Sequence, residues 1–475
     1  MRKRIVLLVL AALLCCPGVL AAEPAEEGYI LCLNDEAAAG ELADYDLRPL
    51  LEEEGIYYTE DLSQVRELED LGVLEAWEED ATVCLFDYAG DVDALKNEPW
   101  HRAMLGADYA AAHGVTGQDS QGMPVRVGIV DSGISADFSE HTTAAIVTGT
   151  NYCVEESDPL RSDTTDTIGH GTIVARVLAS TDVGLVSGIE LVPLKCFKGK
   201  DDGSISNIIE AIRDAVNVYH CDVINMSFGL REDDELLHRA VAYAYQNGCI
   251  LVGACGNKDF SNDTRLCYPG AYDEVIAVGS VNSDKNVSSF SVQNGSVWIT
   301  APGGTLKMPN YYSTSESDKY EYHSGTSFAA PMVSAAAALA LSVDPTLTQG
   351  GFKALLADTA EDRGETGRDN AYGCGLMNLG LLLATVTGDS ESVIPSYYNK
   401  TLCLSAYRPA AEGAVTWLAR YRENGQFFSA EGRSGSVNNA RMSADAPLAK
   451  LMTVDADTFA PLRPAALYGF DAPGE

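Results

Sequence analysis

The chain is short of positive charge. Lysine and arginine number 32 against 69 aspartates and glutamates, which leaves a formal net charge of −37 over 475 residues. A surface of that sign repels phosphate backbones and argues against nucleic acid as a partner. No Cys-x-x-Cys pair occurs among the 12 cysteines, so the sequence carries no mark of the familiar zinc and thioredoxin chemistries. Past the N-terminus no uninterrupted apolar run reaches the ~18 residues that a membrane helix needs. No long-range repeat is visible. What remains is an apolar fraction of 46%, ample for a large core, in a chain long enough for two or three domains.

The first 22 residues read as a secretory signal peptide. Arg2, Lys3 and Arg4 precede an apolar run at 5–14, and Leu20-Ala21-Ala22 offers a small-residue cleavage site. Cys15 and Cys16 hint at a lipoprotein signal, but Leu14 stands where that signal wants a small residue. The expected product is secreted, with no membrane span once the signal is removed. Export permits disulfides. Yet Cys196, Cys221, Cys249 and Cys255 lie in apolar, strand-like runs, where a thiol behaves as a small hydrophobe. Reduced, buried cysteines are expected there.

Residues 23–97 carry 23 acidic and 3 basic side chains. That charge fits a disordered tail, but strand-like pieces at 29–33 and 81–86 flank an amphipathic stretch at 62–74. The segment is expected to be a small α+β module. From 98 to 388 apolar runs at 125–130, 191–197, 223–226, 250–254 and 275–281 alternate with helical stretches at 169–179, 206–219, 234–246 and 326–341. The pattern predicts an α/β fold, a doubly wound, mostly parallel sheet with helices on both faces. After 389 the style changes. Asn424-Gly425 between strand-like runs signals a hairpin, and 389–475 is read as a linker plus a small β module.

Sites in such sheets form at the carboxyl ends of strands. Asp131 closes the run Val127-Gly128-Ile129-Val130 and precedes Ser132-Gly133. His170 stands between Gly169 and Gly171 at a helix start, and Asn257 follows a buried strand in Gly253-Ala254-Cys255-Gly256-Asn257. Ser327 lies in Ser324-Gly325-Thr326-Ser327-Phe328-Ala329-Ala330-Pro331, where a small-residue turn enters an Ala-rich helix. That places a hydroxyl among unpaired N–H groups at a positive dipole end. Pro331 is expected in the first helical turn, where proline is tolerated. Singly, each motif is an everyday turn or cap. Together they supply a nucleophile, a base, an orienting acid and an oxyanion donor.

In this order and Gly-rich context, the four residues resemble the subtilases, the subtilisin-like serine proteases. Val130-Asp131-Ser132-Gly133-Ile134, Gly169-His170-Gly171-Thr172, Asn225-Met226-Ser227-Phe228-Gly229, Tyr268-Pro269-Gly270 and Ile276-Ala277-Val278-Gly279 share in the likeness, which covers roughly 98–388. The resemblance implies a serine endopeptidase acting on peptide or protein substrates through an acyl-enzyme. Ser327 would be the nucleophile, His170 the general base and Asp131 its orienting acid. Asn257 and the Ser327 N–H would hold the oxyanion. Ser227, Phe228 and Gly229 would form an edge for extended substrate, faced by Ala254, Cys255 and Gly256. Segment 23–97 would be an inhibitory prodomain, an intramolecular partner later cut off.

The match has departures. Ile173 stands where the family often has His, and Arg176 where Gly is usual; a charge there must find solvent or a partner. Residues 180–188 look shorter than the calcium loop of secreted members. No cofactor is required, and a structural calcium ion has no support in the residues; a lone Glu140 does not make a site. Two alternatives stay open: a peptidase dedicated to maturing one exported peptide, and a pseudoprotease that binds peptides without cutting.

Overall fold

Five successive apolar residues make Tyr29–Leu33 (β1) a strand buried on both faces. It lies central in an antiparallel sheet ordered β2-β3-β1-β4, with β2 at Arg48–Leu51, β3 at Ile56–Thr59 and β4 at Leu74–Glu79. Helix α1, Leu62–Leu71, starts on Asp61, whose carboxylate accepts the Ser63 N–H at 2.8 Å. It stops three residues short of the expected end, because Gly72 takes the left-handed cap and Leu74 is drawn into β4. Val65 and Leu68 of α1 pack on Tyr29, Leu31 and Leu33. Strand β5, Thr82–Leu85, follows. The structure is a computed structural model. It describes residues 28–34, 42, 45–85, 99–258, 264–310, 320–365 and 367–389, with the backbone of strands between 402 and 469. The signal-peptide reading of 1–22 lies outside the described residues.

The large body begins with short helices α2, Trp100–Leu105, and α3, Asp108–Ala112. Then follow β6 (Arg126–Asp131), β7 (Ala145–Ile146), β8 (Thr150–Asn151), α4 (His170–Ala179), β9 (Glu190–Lys195), β10 (Gly203–Ser204) and α5 (Ile205–Asn217). Next come β11 (Val223–Met226), β12 (Phe228–Gly229), α6 (Glu235–Gln246), β13 (Ile250–Ala254), β14 (Ile276–Val281) and β15 (Ile299–Pro302). The body ends with β16 (Leu306–Pro309), β17 (Tyr320–His323), α7 (Thr326–Val343), α8 (Gln349–Thr359) and α9 (Leu379–Val386). The main sheet runs β15-β14-β13-β11-β6-β9-β7, with β8 also on β9, and its pairings are parallel. One face packs Val127, Ile129 and Val252 against α4 and α7; the other packs Val192, Ile224 and Leu251 against α5 and α6. Burial on both faces is why these strands read as unbroken apolar runs. The chain winds away from β6 in both directions, so a crevice opens at the carboxyl ends of β6 and β11. Helix α7 is long and apolar enough to cross a membrane, yet it is the buried core helix of this body. Beyond the body, Ala414–Glu423 and Gln426–Glu431 pair antiparallel with Glu423 opposite Gln426.

The N-terminal sheet lies on α5 and α6. Ile30, Cys32, Leu50, Leu51 and Ile56 share one core with Ile208, Ile212, Leu237 and Val241. Polar anchors ring this contact. Arg48 pairs with Glu210 at 2.6 Å, and Arg239 with Glu75 at 2.9 Å. Asp80 accepts the Ser206 N–H at 3.0 Å, and Glu78 accepts the Leu236 N–H at 3.4 Å, so each carboxyl sits at a helix N-terminus. Burial, together with the neighbouring Asp234 carboxyl, raises Glu78 to about 8. A raised folded-state value means that the docked form holds a proton which the unfolded chain releases. The stabilisation is therefore whole below the unfolded value, near 4.5, and is lost as pH climbs through about 8. Melting curves of the full chain, kept uncut by Ser327→Ala, and of the same chain carrying Glu78→Gln should converge at about pH 4, below the unfolded value. The variant should become the more stable of the two at pH 8–9; a pH-independent gap would contradict this.

Candidate active site

Asp131 ends β6 at the crevice and is fully buried. His170 is the first residue of α4, and its Nδ1 lies 2.8 and 3.0 Å from the two Asp131 oxygens. Facing a carboxylate, Nδ1 carries the proton and Nε2 becomes the basic nitrogen. The Ser132 N–H donates to Asp131 Oδ1 at 2.7 Å, and Lys195 Nζ holds the Ser132 carbonyl at 2.6 Å. Gly171 explains itself here. A Cβ on it would come within 2.3 Å of the Gly133 oxygen and 3.0 Å of Asp131 Oδ1.

Ser327 is buried in the first turn of α7. Its Oγ donates to the Ser227 carbonyl at 2.9 Å, and the Ser227 hydroxyl donates to the Ser327 carbonyl at 2.8 Å. Pro331 makes this exchange available. It is the sixth residue of α7, not part of the first turn as expected. Without an N–H it cannot bond the carbonyl four residues back, which is that of Ser327. Asn225 Nδ2 donates to Ser227 Oγ at 2.9 Å and Asn225 Oδ1 accepts from Ser334 at 2.9 Å, so the network returns to α7. The His170 ring lies 5.4 Å from that of Phe328, the neighbour of Ser327.

Asn257 Oδ1 accepts the Thr326 N–H at 3.1 Å and the Thr326 hydroxyl at 3.0 Å. Those bonds fix the amide orientation. Its Nδ2 is buried with no hydrogen-bond partner among the described residues. A desolvated donor left unmade costs about 1–3 kcal/mol and is the kind of group an oxyanion would satisfy.

The Phe228–Gly229 edge is occupied. Strand β5 pairs antiparallel with it, Leu85 opposite Phe228 and Cys84 opposite Gly229. On its other side β5 pairs with β10, Val83 opposite Gly203 and Thr82 opposite Ser204. Val83 and Leu85 are buried in the core that holds Phe197, Ile205 and Phe228. Across the crevice, the Cys255 side chain turns into a small cluster with Ala277, Val292 and Val297. Gly256 has φ +99, and a Cβ on it would lie 2.9 Å from Cys267 Sγ. The described cysteines are all thiols, and burial pushes Cys255 up to about 11.

The sequence model of the Subtilase family matches residues 122–375. The chain belongs to the subtilase family. Subtilisin DY of Bacillus licheniformis is 37% identical over 287 residues, covering 59% of this chain and 97% of its own length. M-protease of Shouchella clausii is 30% identical over 378 residues, covering 75% and 92%. A crystal structure of the epidermin leader peptide processing serine protease of Staphylococcus aureus superposes with TM-score 0.59 at 18% identity. It covers 76% of this chain and 99% of that one. This subtilase is thus a serine endopeptidase on a subtilisin-like fold.

Sequence reasoning missed Asp166. Its Oδ1 accepts from Ser132 Oγ and from the Ile168 and Gly169 N–H groups at 2.8–2.9 Å. Its Oδ2 accepts the Thr172 N–H at 2.9 Å and the Thr172 hydroxyl at 2.6 Å. One carboxylate thereby sets the start of α4 against the loop after Asp131. The available signal was an Asp just ahead of a helix start, a common capping choice. The segment 180–188, read as a shortened calcium loop, turns its Val183, Leu185 and Val186 inward. Among the described residues no group of three or more His, Cys, Asp or Glu could hold a metal ion, and Glu140 is exposed. Asp166→Ala should cost this subtilase about 2 kcal/mol or more and lower its hydrolysis rate. Urea unfolding would show a reduced midpoint with an unchanged slope.

Proposed function

We propose that this subtilase is exported as a zymogen and cuts peptide bonds through an acyl-enzyme, using Asp131, His170, Ser327 and Asn257. The observation that carries the reading is the commitment of His170 Nδ1 to Asp131, which leaves Nε2 as base. The Ser327 hydroxyl turns its hydrogen from the Ser227 carbonyl to Nε2 as Oγ bonds to the substrate carbonyl carbon. The oxygen becomes an oxyanion and takes hydrogen bonds from Asn257 Nδ2 and the Ser327 N–H. When the C–N bond breaks, the imidazolium gives its proton to the leaving amine. Water, deprotonated by the same ring, then releases the acid and restores Ser327. Asp131 stays ionised throughout and stabilises the imidazolium.

The segment 23–97 is proposed as the prodomain of a catalytic domain spanning 98–388. Support comes from β5, which lies on the Phe228–Gly229 edge as an extended substrate would. In this register Cys84 lies opposite Gly229 and Leu85 opposite Phe228, so the last described residue of the strand is the one paired nearest Ser227. Export is supported by the charged and apolar N-terminal pattern. Relatives differ in address: one is named a minor extracellular protease of Bacillus subtilis, another an intracellular serine protease of Paenibacillus polymyxa. The leader segment, not the catalytic fold, therefore decides.

Ser327→Ala should abolish both peptide hydrolysis and labelling by a serine-directed phosphonate; labelling at another residue would overturn the assignment. Asn257→Ala should lower kcat by about 10²–10³ with little change in KM, a magnitude borrowed from the equivalent change in a subtilisin. The wild-type chain should shed its N-terminal segment by a cut near Asp93–Pro99, as read by sequencing the new N-terminus. The Ser327→Ala chain should keep it.

A further inference from the structure

Arg176 sits on α4, the helix that His170 begins, and its side chain is 3% exposed. It is the departure from the family pattern for which the proposed chemistry gives no use. Its guanidinium pairs closely with Glu321 of β17 and lies 3.9 Å from Asp182. Glu321 also reaches His323, Oε2 to Nε2 at 3.5 Å. The His323 ring stands edge-on to Phe328 at 5.7 Å, and Phe328 in turn packs on His170 at 5.4 Å. A path of contacts thus joins the helix bearing the base to the strand that leads into the nucleophile. Strand β17 ends at His323, four residues before Ser327.

A buried ion pair is weak evidence for stability, because the cost of desolvation offsets much of the attraction. What it does fix is geometry. Here its two ends lie on the elements whose relative placement sets His170 against Ser327. A slip of β17 would move Phe328, the wall of the His170 ring. Burial pushes the Glu321 carboxyl up, but His323 and Arg176 outweigh it and hold the group below its ordinary value. The carboxylate is therefore charged and able to grip both partners.

We propose that Arg176 and Glu321 form a clamp that positions His170 relative to Ser327, making both of them positioning residues for catalysis. The inference rests on the triad reading above. A displacement of the order of 1 Å in such a site can slow chemistry about 100-fold without weakening substrate binding. The test is steady-state hydrolysis of a peptide substrate, with kcat expressed per phosphonate-titrated active site, so that a loss of folded molecules does not register. Arg176→Met and Glu321→Gln should each lower this kcat by about tenfold or more, with KM within about twofold. The double variant should fall no further than the worse single one, since both remove the same link. If Arg176→Met does not fold, the isosteric Glu321→Gln decides alone. Unchanged kcat per titrated site in a folded single variant overturns the clamp, as do losses that multiply in the double. A variant labelled at Ser327 that hydrolyses like wild type sinks only the clamp. A wild-type chain that takes no label at Ser327 sinks the triad reading, and the clamp with it.

Discussion

The hydrogen bond between Asp131 and His170 is the contact around which the molecule is arranged. A carboxylate with no solvent exposure is tolerable only when its charge is met by donors. Here those donors are the His170 ring and the Ser132 N–H. Keeping them in place draws in the next layer. Asp166 holds the helix start, Lys195 holds the Ser132 carbonyl, and Gly171 lets α4 approach. Each belongs to a different element, so the parallel sheet must be complete before the ring can be held in one tautomer and one orientation. Fold and site are linked at this point, and loosening the sheet would loosen the ring's orientation.

A second, three-stranded sheet explains how the N-terminal segment can sit where substrate is expected. An edge strand offers backbone groups that some chain must satisfy. In this structure β5 satisfies two short edges at once, β10 and β12. Its side chains alternate, Val83 and Leu85 inward and Thr82 exposed. The acidity of the segment, which by composition suggests disorder, is carried outside a small apolar core. Some of that acidity serves the contact itself, at the starts of α5 and α6.

Much of this was legible in the chain. The central strands were visible because burial on both faces writes continuous apolar runs, and α7 because nearly every residue in it is buried. Asp131, His170, Asn257 and Ser327 were visible as Gly-rich motifs at strand and helix ends, and the structure brings Asp131 to His170 and Asn257 to the turn of Ser327. What escaped had only a weak local signature or none. β10 is two residues long, too short for any period to show, and β12, equally short, was visible only through the family likeness. Asp166 looks like any turn residue until its five donors converge. Arg176 stood out as an oddity, but its partner lies 145 positions further on, beyond the reach of pattern reasoning.

Pro331 has a consequence beyond helix geometry. Helices usually close their own ladders, and a carbonyl in the first turn is claimed by the amide four residues on. In α7 that claimant is missing, so the carbonyl of Ser327 is left to the hydroxyl of Ser227, between β11 and β12, a hundred positions upstream. The helix is thereby fastened to the sheet by its own defect. A chain that regained an amide hydrogen at 331 would make the Ser327 oxygen share its lone pairs between the helix and the Ser227 hydroxyl, and the hold of the sheet on this turn would weaken accordingly.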